Sequence, residues 1–203
     1  ALTYFGMVPA ALLGFDLNQL LESVERQALS CQARTTETNN ALLFGWSMGA
    51  YAAQGRNKLT LLLSPEIKPL GVWIEQLLAE STGKDGRGII PIVNEPLQPL
   101  ELYGKDRVFV AILAKEDDAL MARCGELESA GFPVLRSMTG DTKEIGGEFF
   151  RWEFATAVAG VALGINPFDE PDVQRSKDTT ALFLAGKKVS GQTALTPCIR
   201  EGG

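Results

Sequence analysis

Apolar residues recur at helical spacing in the amino-terminal part of the chain. Between residues 8 and 29 they recur every three or four positions, and a break at 14–16 separates a short helix from a longer one. Pro9 suits the first turn of the short helix. Small and aromatic residues over 40–54 predict a third, closely packed helix. The chain is therefore expected to begin with helices.

Four short apolar runs then predict strands at 59–64, 88–93, 107–114 and 133–138. Helical patterns lie between them at 70–80 and 117–132, and two more follow at 148–165 and 169–186. This alternation predicts an α/β domain with a mainly parallel sheet flanked by helices, a three-layer sandwich. In such sheets ligands usually bind at the carboxyl ends of the strands.

The helix at 70–80 has an apolar face and a polar face. Five apolar side chains recur at intervals of three and four and are expected in the core: Leu70, Trp73, Ile74, Leu77 and Leu78. Gln76 and Glu80 are four residues apart and share another face. From spacing alone, Glu80 is more often the polar end of a helix than a working acid or base. "STGK" does not match a phosphate loop, because Ala79 stands where its first glycine belongs.

Composition excludes several function classes. The 203 residues carry a net charge of −6, which argues against a general nucleic-acid binder. The absence of histidine excludes His-based zinc sites and Ser-His-Asp triads within the chain. The three separated cysteines, Cys31, Cys124 and Cys198, fit buried or free thiols. No metal or cofactor is indicated. With neither a membrane-spanning run nor a signal peptide, the cytoplasm is the expected location.

Other polar and aromatic residues are predicted to be structural. Trp46, Trp73 and Trp152 lie in apolar helical runs and are expected in the core. Ser64 is expected to cap a helix, with a small-anion site as the less favoured alternative. Four side chains near the beginnings of strands are expected to be solvated loop charges, with a substrate-facing cluster as the less favoured alternative: Lys84, Arg87, Lys105 and Arg107.

Three stretches in order resemble one enzyme family. "NKLTLLLSPEIKPLGVWIEQLLAESTGKDGRGIIPIV", "YGKDRVFVAIL" and "EFFRWEFATAVAGVALGINPFDEPDVQRSKD" resemble the carboxyl-terminal half of glucose-6-phosphate isomerases. They are most similar to the form fused behind a transaldolase. The resemblance implies that residues 1–188 form the second sugar-isomerase (SIS) domain, with an irregular tail at 189–203. The apolar start at Ala1 suggests a piece of a longer protein.

The resemblance also implies residue roles. The family converts glucose 6-phosphate to fructose 6-phosphate through ring opening and an enediolate. Glu80 matches the glutamate that carries the proton, and Gln76 matches a substrate-contacting glutamine. Lys177 matches the lysine that assists ring opening. Glu170 stands where the family has a substrate-contacting glutamine, which adds a negative charge near the phosphorylated sugar.

Two departures from the family pattern define the alternatives. The family's ring-opening histidine is absent, and its arginine motif and phosphate-binding residues lie outside the chain. The isolated chain is therefore expected to be inactive without an amino-terminal SIS domain, with a homodimer and a fused transaldolase as further partners. The rival hypotheses are a non-catalytic sugar-phosphate-binding or assembly module, and a scaffold for the fused transaldolase.

Overall fold

The computed structural model describes residues 1–114, 117–139, 142–169 and 171–185. The helices in this part are α1 Tyr4–Leu12, α2 Leu17–Ser30, α3 Asn40–Ala53, α4 Leu70–Thr82, α5 Asp118–Ser129, α6 Ile145–Leu163 and α7 Pro171–Leu184. The strands are β1 Lys58–Leu63, β2 Ile90–Ile92, β3 Arg107–Leu113 and β4 Val134–Met138. The chain divides into two compact units, Ala1–Asp169 and Glu170–Gly203, and α7 is the described part of the second. The predicted irregular tail, 189–203, lies outside the described residues.

The four strands form one parallel sheet in the order β2-β1-β3-β4. Leu59 pairs with Val108, and Phe109 pairs with Val134. Helix α4 leads from β1 to β2, and α5 leads from β3 to β4. The predicted α/β domain with a mainly parallel sheet is therefore confirmed.

Alternate residues of the central strands face two separate cores, as the period of two in a strand requires. One core packs Val108, Val110 and Ile112 of β3 against α3, α4 and α6. The other packs Phe109 and Ala111 against α5 and the segment before β3. Helices thus cover both faces of the sheet, which agrees with the predicted three-layer sandwich.

Polar side chains at predicted helix starts satisfy free backbone N–H groups. Asp16 accepts hydrogen bonds from the backbone of Asn18 and Gln19 at the start of α2. Asn39, which is buried, accepts from Leu42 N and donates to the Cys31 carbonyl. These caps explain why α2 and α3 begin at the predicted positions.

Three detailed expectations are wrong. Helix α1 begins at Tyr4, so Pro9 lies inside it, on an exposed helix where the carbonyl freed by proline can reach solvent. Trp46 is 54% exposed, whereas Trp152 is buried and Trp73 is partly buried against the core. The Ser64 hydroxyl makes no cap contact and instead accepts the Ala114 N–H at 3.3 Å.

The cysteine prediction is confirmed where the structure describes it. Cys31 and Cys124 are free and buried, and burial raises the pKa of both thiols. Cys198 lies outside the described residues. Among the described helices, none combines the length and apolar character needed to cross a bilayer.

Glycines allow α3 and α6 to pack closely. A Cβ on Gly45 would lie 2.6 Å from Val158 Cβ and closer still to the Ala155 carbonyl oxygen. A Cβ on Gly49 would lie 2.6 Å from Ala162 Cβ. Both distances are too short for real carbon contacts, so the helix–helix distance requires glycine at these two positions.

The Gly45→Ala substitution should therefore destabilise the chain although alanine favours helices. We expect the free energy of unfolding to fall by about 1–3 kcal/mol, because overpacking outweighs a propensity gain of roughly 0.5–1 kcal/mol. The matched control is Gly125→Ala in α5, where a Cβ meets nothing within 4 Å. It should raise stability by about 0.5–1 kcal/mol. Urea unfolding followed by tryptophan fluorescence measures both, and changes of the same sign would contradict the packing argument.

Candidate active site

Helix α4 presents an amide and a carboxylate on one exposed face. Its apolar side places Ile74 and Leu78 in the core, both fully buried. Gln76 and Glu80 lie on the opposite side, and Gln76 Nε2 donates a hydrogen bond to Glu80 Oε1 at 3.0 Å. The predicted shared face is confirmed. The carboxylate is thus oriented by its neighbour one turn away while its second oxygen remains open to a ligand.

The end of α4 is held by a buried hydroxyl. Thr82 Oγ1 donates to the Leu78 carbonyl at 2.7 Å and accepts the Ile89 N–H at 3.0 Å. Thr82 is fully buried, so these bonds are shielded from water. The last turn of α4, which carries Glu80, is therefore tied to the chain that enters β2.

The turn after α4 differs from its prediction. Lys84 is buried, and its Nζ binds oxygens of Asn166 and Asp169. Arg87 Nη1 donates to the Leu163 carbonyl at 2.7 Å, at the end of α6. The prediction of solvated charges is thus wrong for Lys84, since its acceptors lie more than 80 residues away along the chain.

The other two charges near strand beginnings behave differently from each other. Arg107 makes two hydrogen bonds to the Glu95 carboxylate, at 2.8 and 2.9 Å, and one to Thr60 Oγ1. Lys105 is exposed, as predicted. Arg107 therefore forms a structural ion pair with Glu95, which ties the segment between β2 and β3 to the start of β3.

Glu80 lies beside the amino-terminal edge of the sheet. Helix α4 follows β1 and precedes β2, and in such a parallel unit the helix returns in the direction opposite to the strands. The end of α4 is therefore next to the start of β2. The Gln76–Glu80 pair therefore does not lie at the carboxyl ends of the strands, where ligands of such sheets usually bind.

A polar cluster instead occupies the carboxyl end of β4, beside a cavity of about 140 Å³. Glu148 is buried and accepts a hydrogen bond from Thr139 Oγ1 at 2.9 Å. Arg151 binds Glu148 Oε1 and Ser137 Oγ, and it donates to Gln27 Oε1 of α2 at 3.1 Å. Burial raises the pKa of Glu148, and the Arg151 charge opposes that rise. Sequence reasoning missed this cluster, because its members come from three separate elements.

The remaining predicted site residues have different outcomes. Lys177 lies on α7, in the second compact unit, with an exposed side chain. Glu170 lies outside the described residues. The part of the chain that the structure describes contains no group of three acidic or cysteine side chains able to hold a metal ion.

Comparison with known proteins gives one consistent result. No family model matches the chain. It is 24% identical to the glucose-6-phosphate isomerase of Leptospira biflexa, covering 92% of this chain and 50% of that protein. It is 26% identical to the glucose-6-phosphate isomerase of Rubrobacter xylanophilus, covering 86% of this chain and 50% of that protein. The chain resembles glucose-6-phosphate isomerases over most of its length. It spans about half the length of these relatives.

A solved structure supports the fold. A hypothetical protein of Thermus thermophilus superposes with a TM-score of 0.74 at 20% identity, covering 91% of this chain and 54% of that one. The same α/β architecture therefore occurs in an experimentally determined structure. The sequence matches thus show similarity to glucose-6-phosphate isomerases, and the structural match shows the fold.

Proposed function

We propose that the chain is the carboxyl-terminal half of a glucose-6-phosphate isomerase, its second SIS domain, and that the full-length protein interconverts glucose 6-phosphate and fructose 6-phosphate. The observation that carries the proposal is the hydrogen-bonded pair of Gln76 and Glu80 on the exposed face of α4. The stretch around this pair resembles the family's catalytic motif, and the named relatives match 86–92% of the chain.

In this proposal Glu80 carries the proton. After the sugar ring opens, the carboxylate removes the proton from the carbon beside the aldehyde, giving an enediolate. It then returns that proton to the former aldehyde carbon, and a hydroxyl proton moves between the two oxygens. One carboxylate can perform both transfers, so the step needs no metal or cofactor. Its open oxygen and its orientation by Gln76 suit this role.

Three other residues complete the proposed site. Gln76 has a second amide proton and a carbonyl oxygen, both of which can contact a sugar hydroxyl. Lys177 steadies the ring oxygen as it gains negative charge during ring opening. Glu170 contacts the substrate where the family uses glutamine. The last two assignments rest on motif resemblance, and the exposure of Lys177 is compatible with its role.

The proposed partners supply what the chain lacks. Helix α1 has no buried residue, and its apolar side chains include Phe5 at 95% exposure and Leu12 at 83%. The other half of the relatives' length, the amino-terminal SIS domain, is the proposed partner of this surface. A fused transaldolase domain and a homodimer belong to the same proposal. Nucleic acid and membrane are not proposed as partners, and a cytoplasmic location remains a prediction.

A second candidate is a non-catalytic sugar-phosphate-binding or assembly module. The exposure of both Gln76 and Glu80 favours it, because general bases are commonly enclosed by surroundings that tune them. In the first proposal, the amino-terminal half and the substrate provide that enclosure. In the second, the pair binds sugar hydroxyl groups without chemistry.

A coupled assay for conversion of fructose 6-phosphate to glucose 6-phosphate separates the two candidates. We expect activity in the full-length protein and none in the 203-residue chain, because the family resemblance assigns the phosphate-binding groups to the other half. Activity in neither, with retained binding of fructose 6-phosphate by calorimetry, would establish the binding module. Full activity in the isolated chain would contradict the need for the missing half.

A further inference from the structure

The lysine that follows α4 is a buried, fully bonded cation. Its side chain is 4% exposed. Its Nζ donates to the Asn166 carbonyl at 2.8 Å, to Asp169 Oδ1 at 2.8 Å, and to the Asp169 carbonyl. An ammonium group removed from water costs several kcal/mol unless its protons are bonded. Lys84 has three such protons and three oxygen acceptors, so the hydrogen-bonding capacity of its ammonium group is fully satisfied by the protein.

The backbone from which this side chain extends is also constrained. Arg87 N donates to the Lys84 carbonyl at 2.9 Å, closing a two-residue turn. Both central residues have positive φ, Asp85 at 55° and Gly86 at 69°, a geometry that few conformations satisfy. Lys84 N also donates to the Thr82 carbonyl at 2.9 Å. The lysine is therefore held in a fixed position relative to the last turn of α4.

The receiving segment, residues 166–169, is a compact turn. Asn166 Oδ1 accepts the Phe168 N–H at 3.1 Å, an arrangement that fixes an Asx turn. Lys84 binds the carbonyl at each end of this segment. The chain continues from Asp169 through residue 170 into α7, which carries Lys177. One ammonium thus ties the turn four residues after Glu80 to residues 166–169.

We propose that Lys84 is a positioning residue of the isomerase, one that holds the 166–169 segment against the turn following Glu80. This inference rests on the proposed function. Proton transfer by Glu80 requires a fixed geometry, and a misplacement of about 1 Å can cost roughly 10²-fold in rate. Lys84 need not contact the substrate, since its three protons are already used by the protein.

The test compares two cations of the same turn in the full-length protein. Lys84→Met should lower kcat by about 10- to 100-fold with a smaller change in KM, since orientation rather than binding is lost. The control is Arg87→Met, which removes a bond to Leu163 but leaves the 166–169 segment untouched. Its kcat should stay within about threefold of the wild type. Asp169→Ala, which removes one of the three acceptors, is a milder variant that should fall between them.

Hydrogen–deuterium exchange of the backbone over 166–169 gives a readout independent of activity. Exchange should be faster in Lys84→Met and Asp169→Ala and unchanged in Arg87→Met. Unchanged exchange in both of the first two variants would overturn the contact. Faster exchange with wild-type kcat would overturn the positioning role. An inactive wild-type protein would instead overturn the proposed function, and the positioning role with it, while the exchange data would still decide the contact.

Discussion

Glu80→Gln should lower the isomerase kcat of the full-length protein by about 10²- to 10⁴-fold, the usual contribution of a general acid–base group. The amide matches the carboxylate in size, and its oxygen can still accept the hydrogen bond that Gln76 Nε2 now donates at 3.0 Å. It cannot take up a proton. The loss should therefore appear in kcat, with KM for fructose 6-phosphate changed much less.

The matched control is Glu75→Gln, a second carboxylate of α4 that lies on a different side of the helix from Glu80. It removes the same charge from the same helix and should leave kcat within about threefold of the wild type. A coupled assay under saturating substrate measures both variants. Comparable losses in the two would indicate a general effect of charge on α4. Wild-type activity in Glu80→Gln would remove Glu80 from the proposed mechanism.

Arg151→Met should destabilise the chain by about 3–5 kcal/mol at pH 7, the cost of leaving a buried charge without its partner. Arg151 joins three elements, contacting Gln27 of α2, Ser137 of β4 and Glu148 of α6. Glu148 is 1% exposed, so water cannot replace Arg151 as the partner of its carboxylate. Urea unfolding of the chain measures the loss. A change below about 1 kcal/mol would show that the pair contributes as little as a surface ion pair.

The size of this loss should depend on pH. Burial raises the pKa of Glu148 in the folded state above its ordinary value of 4.5, and Arg151 limits the rise. A raised pKa means that the folded state binds the Glu148 proton more tightly than the unfolded state does. The stability that this proton binding contributes is complete below pH 4.5 and is lost as pH rises through the folded-state pKa. Without Arg151 that pKa rises further. The difference between variant and wild type should therefore be smallest near pH 4.5 and grow toward pH 7.

A double variant provides the control for this pH dependence. Glu148→Gln combined with Arg151→Met removes the buried charge, so it should recover part of the stability lost at pH 7. It should also show no growth of the deficit between about pH 4.5 and 7. If the deficit of Arg151→Met is the same at both pH values, Glu148 does not titrate as this argument requires.

The local sequence pattern was sufficient to predict the helices and strands and the shared face of Gln76 and Glu80. The strand runs are continuous and apolar because both faces of the sheet are covered, and periodicity detects such runs directly. Gln76 and Glu80 share a face because helical spacing alone places residues four apart together. The Asp16 and Asn39 caps of α2 and α3 also act locally, on backbone N–H groups two or three residues away.

The sequence by itself therefore determined the order of strands and helices, the parallel α/β class and the pairing of Gln76 with Glu80. Tertiary structure alone decided that Lys84 is buried on Asn166 and Asp169, and that Arg151 joins three elements. The residues adjacent in sequence to a lysine or an arginine do not indicate that a distant carbonyl or carboxylate is its partner. The physical reason is that periodicity reports which side of an element faces the core, whereas the fate of a buried charge depends on acceptors that only the folded chain brings within about 3 Å.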